Sequence, residues 1–198
     1  MNRRPFFAGA ALLAMLAAAA VAEDSPMKTQ SAILGGGCFW CVEAVYERVP
    51  GIVSVTSGYA GGHTPDPTYE QVCTGETGHA EVVRIEFEPE KISYGKIIDL
   101  FWDAHDPTTL NRQGADEGTQ YRSIILTSDE EQERLARESK ERAQAKNKSP
   151  IVTEIAPLEK FYPAEDHHQN FYRDNPMHPY NMAVIRPKLE KLDKKTAE

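Results

Sequence analysis

Two hydrophobic patterns interleave along the chain from residue 31 onward: short runs with strand-like alternation, and stretches whose apolar residues recur at helical spacing. Ser31-Ala32-Ile33-Leu34 reads as a short apolar strand, three glycines follow and allow a sharp turn, and Val42, Val45 and Val49 then recur at helical spacing behind Cys38. Residues 52–57 predict a second strand that opens into a Gly- and Pro-rich loop over residues 58–69. Residues 80–88 alternate. Glu81, Val83, Ile85 and Phe87 share one face of that strand, and Arg84, Glu86 and Glu88 form a solvated one. Ser93 starts an amphipathic helix through Ile97, Ile98, Phe101 and Trp102, after which residues 105–119 read as irregular. A strand is expected over residues 121–127. Ser128-Asp129-Glu130-Glu131 then reads as a capping box opening a charged helix to about Lys146, with Glu130–Arg134, Glu133–Arg137 and Glu138–Arg142 pairs on its solvated face. Residues 151–155 predict the last strand, and residues 161–198 read as loop and short helix ending in a charged, disordered tail from about Lys188. The alternation predicts an α+β fold, a two-layer αβ sandwich of helices over a mixed sheet, with a ferredoxin-like αβ plait as its expected core.

The first residues change the picture at one end. Arg3 and Arg4 precede an apolar stretch from Phe6 to Ala20, and Ala20-Val21-Ala22 offers an A-x-A exit, which is the layout of a secretory signal over residues 1–22. An uncleaved membrane anchor is the rival reading, and the paired arginines also resemble a twin-arginine signal. Residues 23–198 then form one domain, in an exported, periplasmic or secreted protein. The chain carries 22 basic and 30 acidic residues, a net charge of −8, which falls to −10 if Arg3 and Arg4 leave with the signal. So acidic a surface repels phosphate backbones, which argues against nucleic acid as a partner, and no second apolar segment is long enough to span a membrane. A monomer is expected.

The candidate chemistry begins with Cys38 and Cys41. At a helix start, unpaired N–H groups and the dipole favour a thiolate, so Cys38 is expected to titrate at roughly 3.5–7.5 rather than about 8.5. Cys41 lies one turn on, on the same face, where a reversible disulfide is sterically reasonable. Cys73 makes the count odd, and a purely structural disulfide framework is therefore not expected. Glu81, on an otherwise apolar strand face, is expected to have a raised pKa suited to a general acid, with a structural ion pair as the alternative. Tyr59, Tyr69 and Tyr121 lie in or beside irregular segments, where each offers an O–H to a polar ligand or packs its ring and wets its tip. Phe39 and Trp40 line a pocket at the helix start or join the core. A metal site from Cys38, Cys41, His167 and His168 has poor spacing, and His63 and His79 read as loop residues.

Gly37-Cys38-Phe39-Trp40, Gly58-Tyr59-Ala60-Gly61-Gly62, Pro67-Thr68-Tyr69, Thr77-Gly78-His79-Ala80-Glu81, His105-Asp106-Pro107, Gly118-Thr119-Gln120-Tyr121-Arg122 and Ala164-Glu165-Asp166-His167-His168-Gln169 occur in this order. Over about residues 31–175 the chain resembles the methionine sulfoxide reductase A family. The resemblance implies a thiol-dependent peptide-methionine (S)-S-oxide reductase with an αβ-sandwich fold and neither metal nor organic cofactor. It implies that Cys38 attacks the sulfoxide sulfur, that Glu81 protonates the oxygen, and that Tyr69 and Tyr121 donate hydrogen bonds to it. Phe39 and Trp40 would hold the substrate's ε-methyl group, and Asp116 falls where the family has a polar residue lining the site.

Attack leaves Cys38 as a sulfenic acid, which a nearby thiol must condense with. Some relatives use distant C-terminal cysteines for this, but here no cysteine follows Cys73. Cys41 is therefore the expected resolving thiol, Cys73 its rival, and a thioredoxin-like protein the expected reductant of the Cys38–Cys41 disulfide. Oxidised proteins carrying methionine S-sulfoxide are the expected substrates, and with no B-type domain the R epimer is not. Two other classes fit the dithiol or the aromatics alone: a general thiol–disulfide oxidoreductase, and an exported module that binds oxidised or methionine-rich segments without turnover.

Overall fold

A computed structural model describes residues 28–196. The leader expected over residues 1–22 lies outside them. The apolar run before the glycines forms β1 (Gln30–Gly35), and the helically spaced residues after them form α1 (Phe39–Tyr46). β2 (Ile52–Ala60), a short α2 (Tyr69–Cys73), β3 (Ala80–Phe87) and α3 (Tyr94–Ala104) follow. A small pair, β4 (Arg112–Gln113) and β5 (Asp116–Glu117), precedes β6 (Ile124–Thr127), α4 (Glu130–Gln144), β7 (Glu154–Pro157), β8 (Phe161–Pro163), α5 (Phe171–Asp174) and α6 (Arg186–Thr196).

Six strands form one mixed sheet in the order β7-β6-β1-β3-β2-β8, in which only the β6–β7 pair is parallel. Alternation along the central strands sends side chains to two buried faces. Leu34, Val83, Ile85, Phe87 and Ile125 face a core shared with Val42, Val45, Ile97, Ile98 and Phe101 of α1 and α3. Ile33, Val82, Ile124 and Leu126 form a second cluster against Ala156, Leu158 and Phe161. Helices over a mixed sheet are thus what the chain builds.

The structure departs from the sequence reading at several points. β2 continues through Gly58-Tyr59-Ala60, which the glycines suggested were loop, because both of its edges are paired there: Tyr59 lies opposite Glu81 on β3 and opposite Tyr162 on β8. Pairing on two sides outweighs the weak strand propensity of glycine. Helix α4 is capped by Asp129, whose side chain accepts from the Gln132 N–H, rather than by Ser128. Arg134 bridges Glu131 and Glu138, Arg137 pairs with Glu133, and Arg142 reaches Asp99 on α3 instead of Glu138. That last bond belongs to a small polar seam where Trp102 donates to Ser139 and Ser139 to Asp99. β6 begins at Ile124, leaving Tyr121 in a 3₁₀ turn over Thr119–Tyr121. The charged segment from Lys188, expected to be disordered, lies in α6, with Leu189 buried against the core.

Candidate active site

β1 delivers the chain to the site through Gly35, Gly36 and Gly37. A Cβ on Gly35 would stand 2.6 Å from the Glu81 carbonyl oxygen, and one on Gly36 would meet the rings of His105 and Phe101 at 3.0 Å. Only glycine lets this turn lie so close to β3 and α3. Cys38 is the N-cap of α1, and the Cys41 N–H donates to the Cys38 carbonyl at 3.0 Å, so the two thiols stand one turn apart. Both are free thiols, Cys38 8 % exposed and Cys41 2 %.

Glu81 projects from β3 to the start of α1, where its Oε2 accepts the Phe39 N–H at 3.0 Å. It is 1 % exposed. Burial pushes its carboxyl from 4.5 up to about 8, the Phe39 hydrogen bond opposes this, and the charge of Asp116 adds to it. A carboxylic acid protonated near neutrality thus stands beside the thiol, as the strand pattern predicted. The expectation of a depressed Cys38 pKa is overturned. Burial, the Cys41 hydrogen bond and the Glu81 charge raise the Cys38 thiol well above its ordinary value, and the helix-start N–H that was to stabilise a thiolate goes to Glu81 instead. Cys41 takes the opposite course: the hydrogen bond from Cys38 leads in lowering it to about 7 despite burial.

Aromatic side chains wall the thiols. Phe39, 1 % exposed, lies among Trp40, Tyr59, Tyr69 and His168 at centroid distances of 5.1–6.4 Å. Trp40 stacks on Phe171 of α5 at 3.6 Å and 8°. Tyr69 opens α2 behind a capping box of Thr68 and Gln71, and its N–H donates to Glu165 at 2.9 Å. Burial raises the hydroxyls of Tyr69 and Tyr121, and the Glu81 charge adds to it in both. Arg122 holds the Tyr121 turn by donating to the carbonyls of Thr119, Gly61 and Gly78 and to Glu154. Tyr59 behaves differently. It is fully buried and its O–H donates to Glu165 at 2.8 Å, so it supports the Phe39 ring from behind instead of offering a free hydroxyl.

The chain matches the family model described as peptide methionine sulfoxide reductase over residues 30–198. "Peptide methionine sulfoxide reductase MsrA" of Saccharolobus solfataricus is 56% identical over 163 residues, 82% of this chain and 92% of that protein. This chain belongs to the peptide methionine sulfoxide reductase A family. Solved relatives agree: Mxr1 from Saccharomyces cerevisiae in reduced form aligns with a TM-score of 0.73 at 37% identity over 77% of this chain and 89% of that one. Mxr1 in complex with Trx2 aligns at 0.54 and 26% identity, over 75% and 90%. As a methionine sulfoxide reductase A, the protein is an oxidoreductase that returns methionine sulfoxide in peptides to methionine.

In this reductase, Cys38, Phe39, Trp40, Cys41, Tyr69, Glu81 and Tyr121 come together from four separated segments. Cys73 does not join the dithiol. It is exposed on α2, one turn from Tyr69. His167 is exposed, whereas His168 is buried among Phe39, Trp40 and Tyr69 with both ring nitrogens lacking a hydrogen-bond partner. Among the described residues no group of His, Cys, Asp and Glu is arranged to hold a metal. His79 knits its loop, accepting from Gly62 N–H through Nδ1 and meeting the Thr64 carbonyl through Nε2.

Four contributors were not picked out from sequence. Glu165 and His168 sit within a segment that carried the resemblance, but no periodicity marked their roles. Phe171 and Tyr180 come from the C-terminal region that read as coil. Tyr180 donates to Asp116 at 2.7 Å and lies 3.6 Å from the Cys41 sulfur. Asp116 therefore reaches the site through Tyr180.

Proposed function

We propose that Cys38 attacks the sulfur of a methionine S-sulfoxide side chain while Glu81 gives its proton to the departing oxygen. The observation that carries this reading is the buried Glu81 carboxyl held against the first N–H of α1, beside Cys38 and protonated up to about pH 8. A sulfoxide oxygen is a poor leaving group until protonated, so the step needs a sulfur nucleophile and a neutral acid at one place. Tyr69 and Tyr121 donate hydrogen bonds to the oxygen, and Phe39 with Trp40 grips the ε-methyl group. Methionine leaves, the oxygen remains on Cys38 as a sulfenic acid, and the proton released by Cys38 restores Glu81. Cys41 then condenses with the sulfenic acid, releasing water and forming the Cys38–Cys41 disulfide. Tyr59 and Asp116 support the pocket through Glu165 and Tyr180.

A thioredoxin-like protein reduces that disulfide, a reading supported by the complex of the relative Mxr1 with Trx2. Every electron in the cycle comes from a thiol, so the chemistry requires no metal or organic cofactor, and no second subunit. The basic, then apolar, then A-x-A layout of residues 1–22 supports export of a single domain over residues 23–198 to the periplasm or cell exterior. A ferredoxin-like plait is supported by the β1-α1-β2-β3-α3-β6 succession, whose strands stand in the order β6-β1-β3-β2 with all neighbours antiparallel.

The test is a single-turnover assay on resolved sulfoxide epimers, followed by mass mapping of the oxidised enzyme. The S epimer is expected to yield about one methionine per enzyme, the R epimer none, and the disulfide to join Cys38 with Cys41. Cys38→Ser abolishes turnover. Reduction of the R epimer at a comparable rate, or a disulfide that includes Cys73, would overturn the corresponding part of the scheme.

A further inference from the structure

Tyr180 occupies a position that the reductase step does not use. It stands at the head of a π-helical turn (Asn181–Ile185), which Asn181 anchors by donating to the Asn175 carbonyl at 2.7 Å. The ring is half-buried and meets Trp40 edge-on at 5.9 Å. Its hydroxyl donates to Asp116 Oδ2 at 2.7 Å, and its oxygen lies 3.6 Å from Cys41 Sγ. A hydroxyl whose one proton is committed to a carboxylate has only lone pairs left, so toward a protonated Cys41 it is an acceptor. The thiol, hydroxyl and carboxylate thus form a chain in which each proton points toward Asp116.

We propose that Tyr180 is a catalytic residue of the resolving step, relaying the Cys41 proton to Asp116. This rests on the reading that Cys41 is the resolving thiol. As the Cys41 proton moves to the Tyr180 oxygen, the original Tyr180 proton passes to Asp116 Oδ2. The proton just received then faces the Cys41 thiolate and stabilises it. Cys41 sulfur attacks Cys38 sulfur, the S–S bond forms, and the S–O bond of the sulfenic acid breaks. Hydroxide leaves as water with a proton from Glu81, and the proton on Asp116, released to solvent, balances the one Glu81 regains. Cys38 sulfur is reduced, Cys41 sulfur is oxidised, and the sum is one disulfide and one water. In the resting enzyme the hydrogen bond from Cys38 leads in lowering Cys41, and of the lowering influences the Lys188 charge and the Tyr180 hydroxyl persist once Cys38 is a sulfenic acid. Asp116 acts through Tyr180 and is a positioning residue.

The experiment follows one turnover of a methionine S-sulfoxide peptide by the full chain, timing sulfenic acid by dimedone trapping and disulfide by mass. In Tyr180→Phe the ratio of disulfide-forming to sulfenic-acid-forming rates is expected to fall on the order of 100-fold, the lower end for positioned proton transfer. Asp116→Asn lowers the same ratio, and the double variant is no slower than the worse single one, because both break one relay. The wild-type disulfide step shows a normal solvent deuterium isotope effect, a readout that does not depend on any variant folding. An unchanged ratio in Tyr180→Phe, or a wild-type disulfide step without an isotope effect, overturns the relay while leaving Cys41 as resolver. A disulfide mapped to Cys73 removes Cys41 itself from the step, and the relay with it.

Discussion

Glu81→Gln keeps the shape of the side chain and an oxygen to accept the Phe39 N–H, but has no acidic proton to give to the sulfoxide. Positioned general-acid catalysis contributes about 100- to 10,000-fold, so methionine formation in a single turnover is expected to slow by that factor, about 3–5 kcal/mol of barrier. The pH profile carries a second signature. Glu81 ionises at about 8 and Cys38 well above its ordinary value, so the wild-type rate, which needs thiolate and neutral acid together, stops rising with pH at about 8. In the glutamine variant the rise that follows Cys38 ionisation continues through that value. Stability offers a third readout with a definite sign. Between 4.5 and about 8 the folded chain holds a proton that the unfolded chain has released, so stability is full below 4.5 and is lost as pH rises through 8. The span corresponds to roughly 5 kcal/mol for a fully buried group. Urea denaturation of Glu81→Gln from pH 5 to 8 should therefore show a shallower fall than wild type, the remainder coming from other raised carboxyls such as Glu43. A variant rate within about an order of magnitude of wild type, with the break at about pH 8 intact, would refute the assignment of the acid.

Gly35→Ala sets a Cβ 2.6 Å from the Glu81 carbonyl and 2.9 Å from Ile124; the expected loss is about 1–3 kcal/mol in urea denaturation, and an unchanged midpoint would refute the close approach. Arg122→Lys replaces a guanidinium that reaches three carbonyls and Glu154 with a single ammonium. Loss of about 1.5–3 kcal/mol is expected by the same measurement, together with slower single-turnover methionine formation as the Tyr121 turn loosens. Retention of both stability and rate would show that the turn holds without the arginine.

Much of the site was legible residue by residue. Alternation along β3 put Glu81 on the core face, and the run of glycines before Cys38 marked a turn into a helix; the structure bears out both. The end of β2 was misread, since whether Gly58-Tyr59-Ala60 is strand or loop depends on β3 and β8, which lie far along the chain. The Arg142–Asp99 bridge was missed for a related reason: local rules rank neighbours along the helix, and α3 supplies a partner from outside it.

The sequence by itself determined the central strands and the longer helices, the acid's strand face, the spacing of the two thiols and the family, because these rest on periodicities of two and 3.6 residues and on short motifs. Tertiary structure alone decided the electrostatics. The helix start predicted an acidic Cys38, yet burial beside Cys41 and Glu81 raises that thiol and the Phe39 N–H serves the carboxyl. It also decided which hydroxyls remain available: Tyr59 is engaged by Glu165 across 106 residues, and Tyr180 reaches both Asp116 and Cys41 from a segment with no pattern of its own. Ionisation and hydrogen-bond partnership depend on what lies within a few ångströms in space, and one-dimensional spacing carries no record of neighbours so remote in the chain.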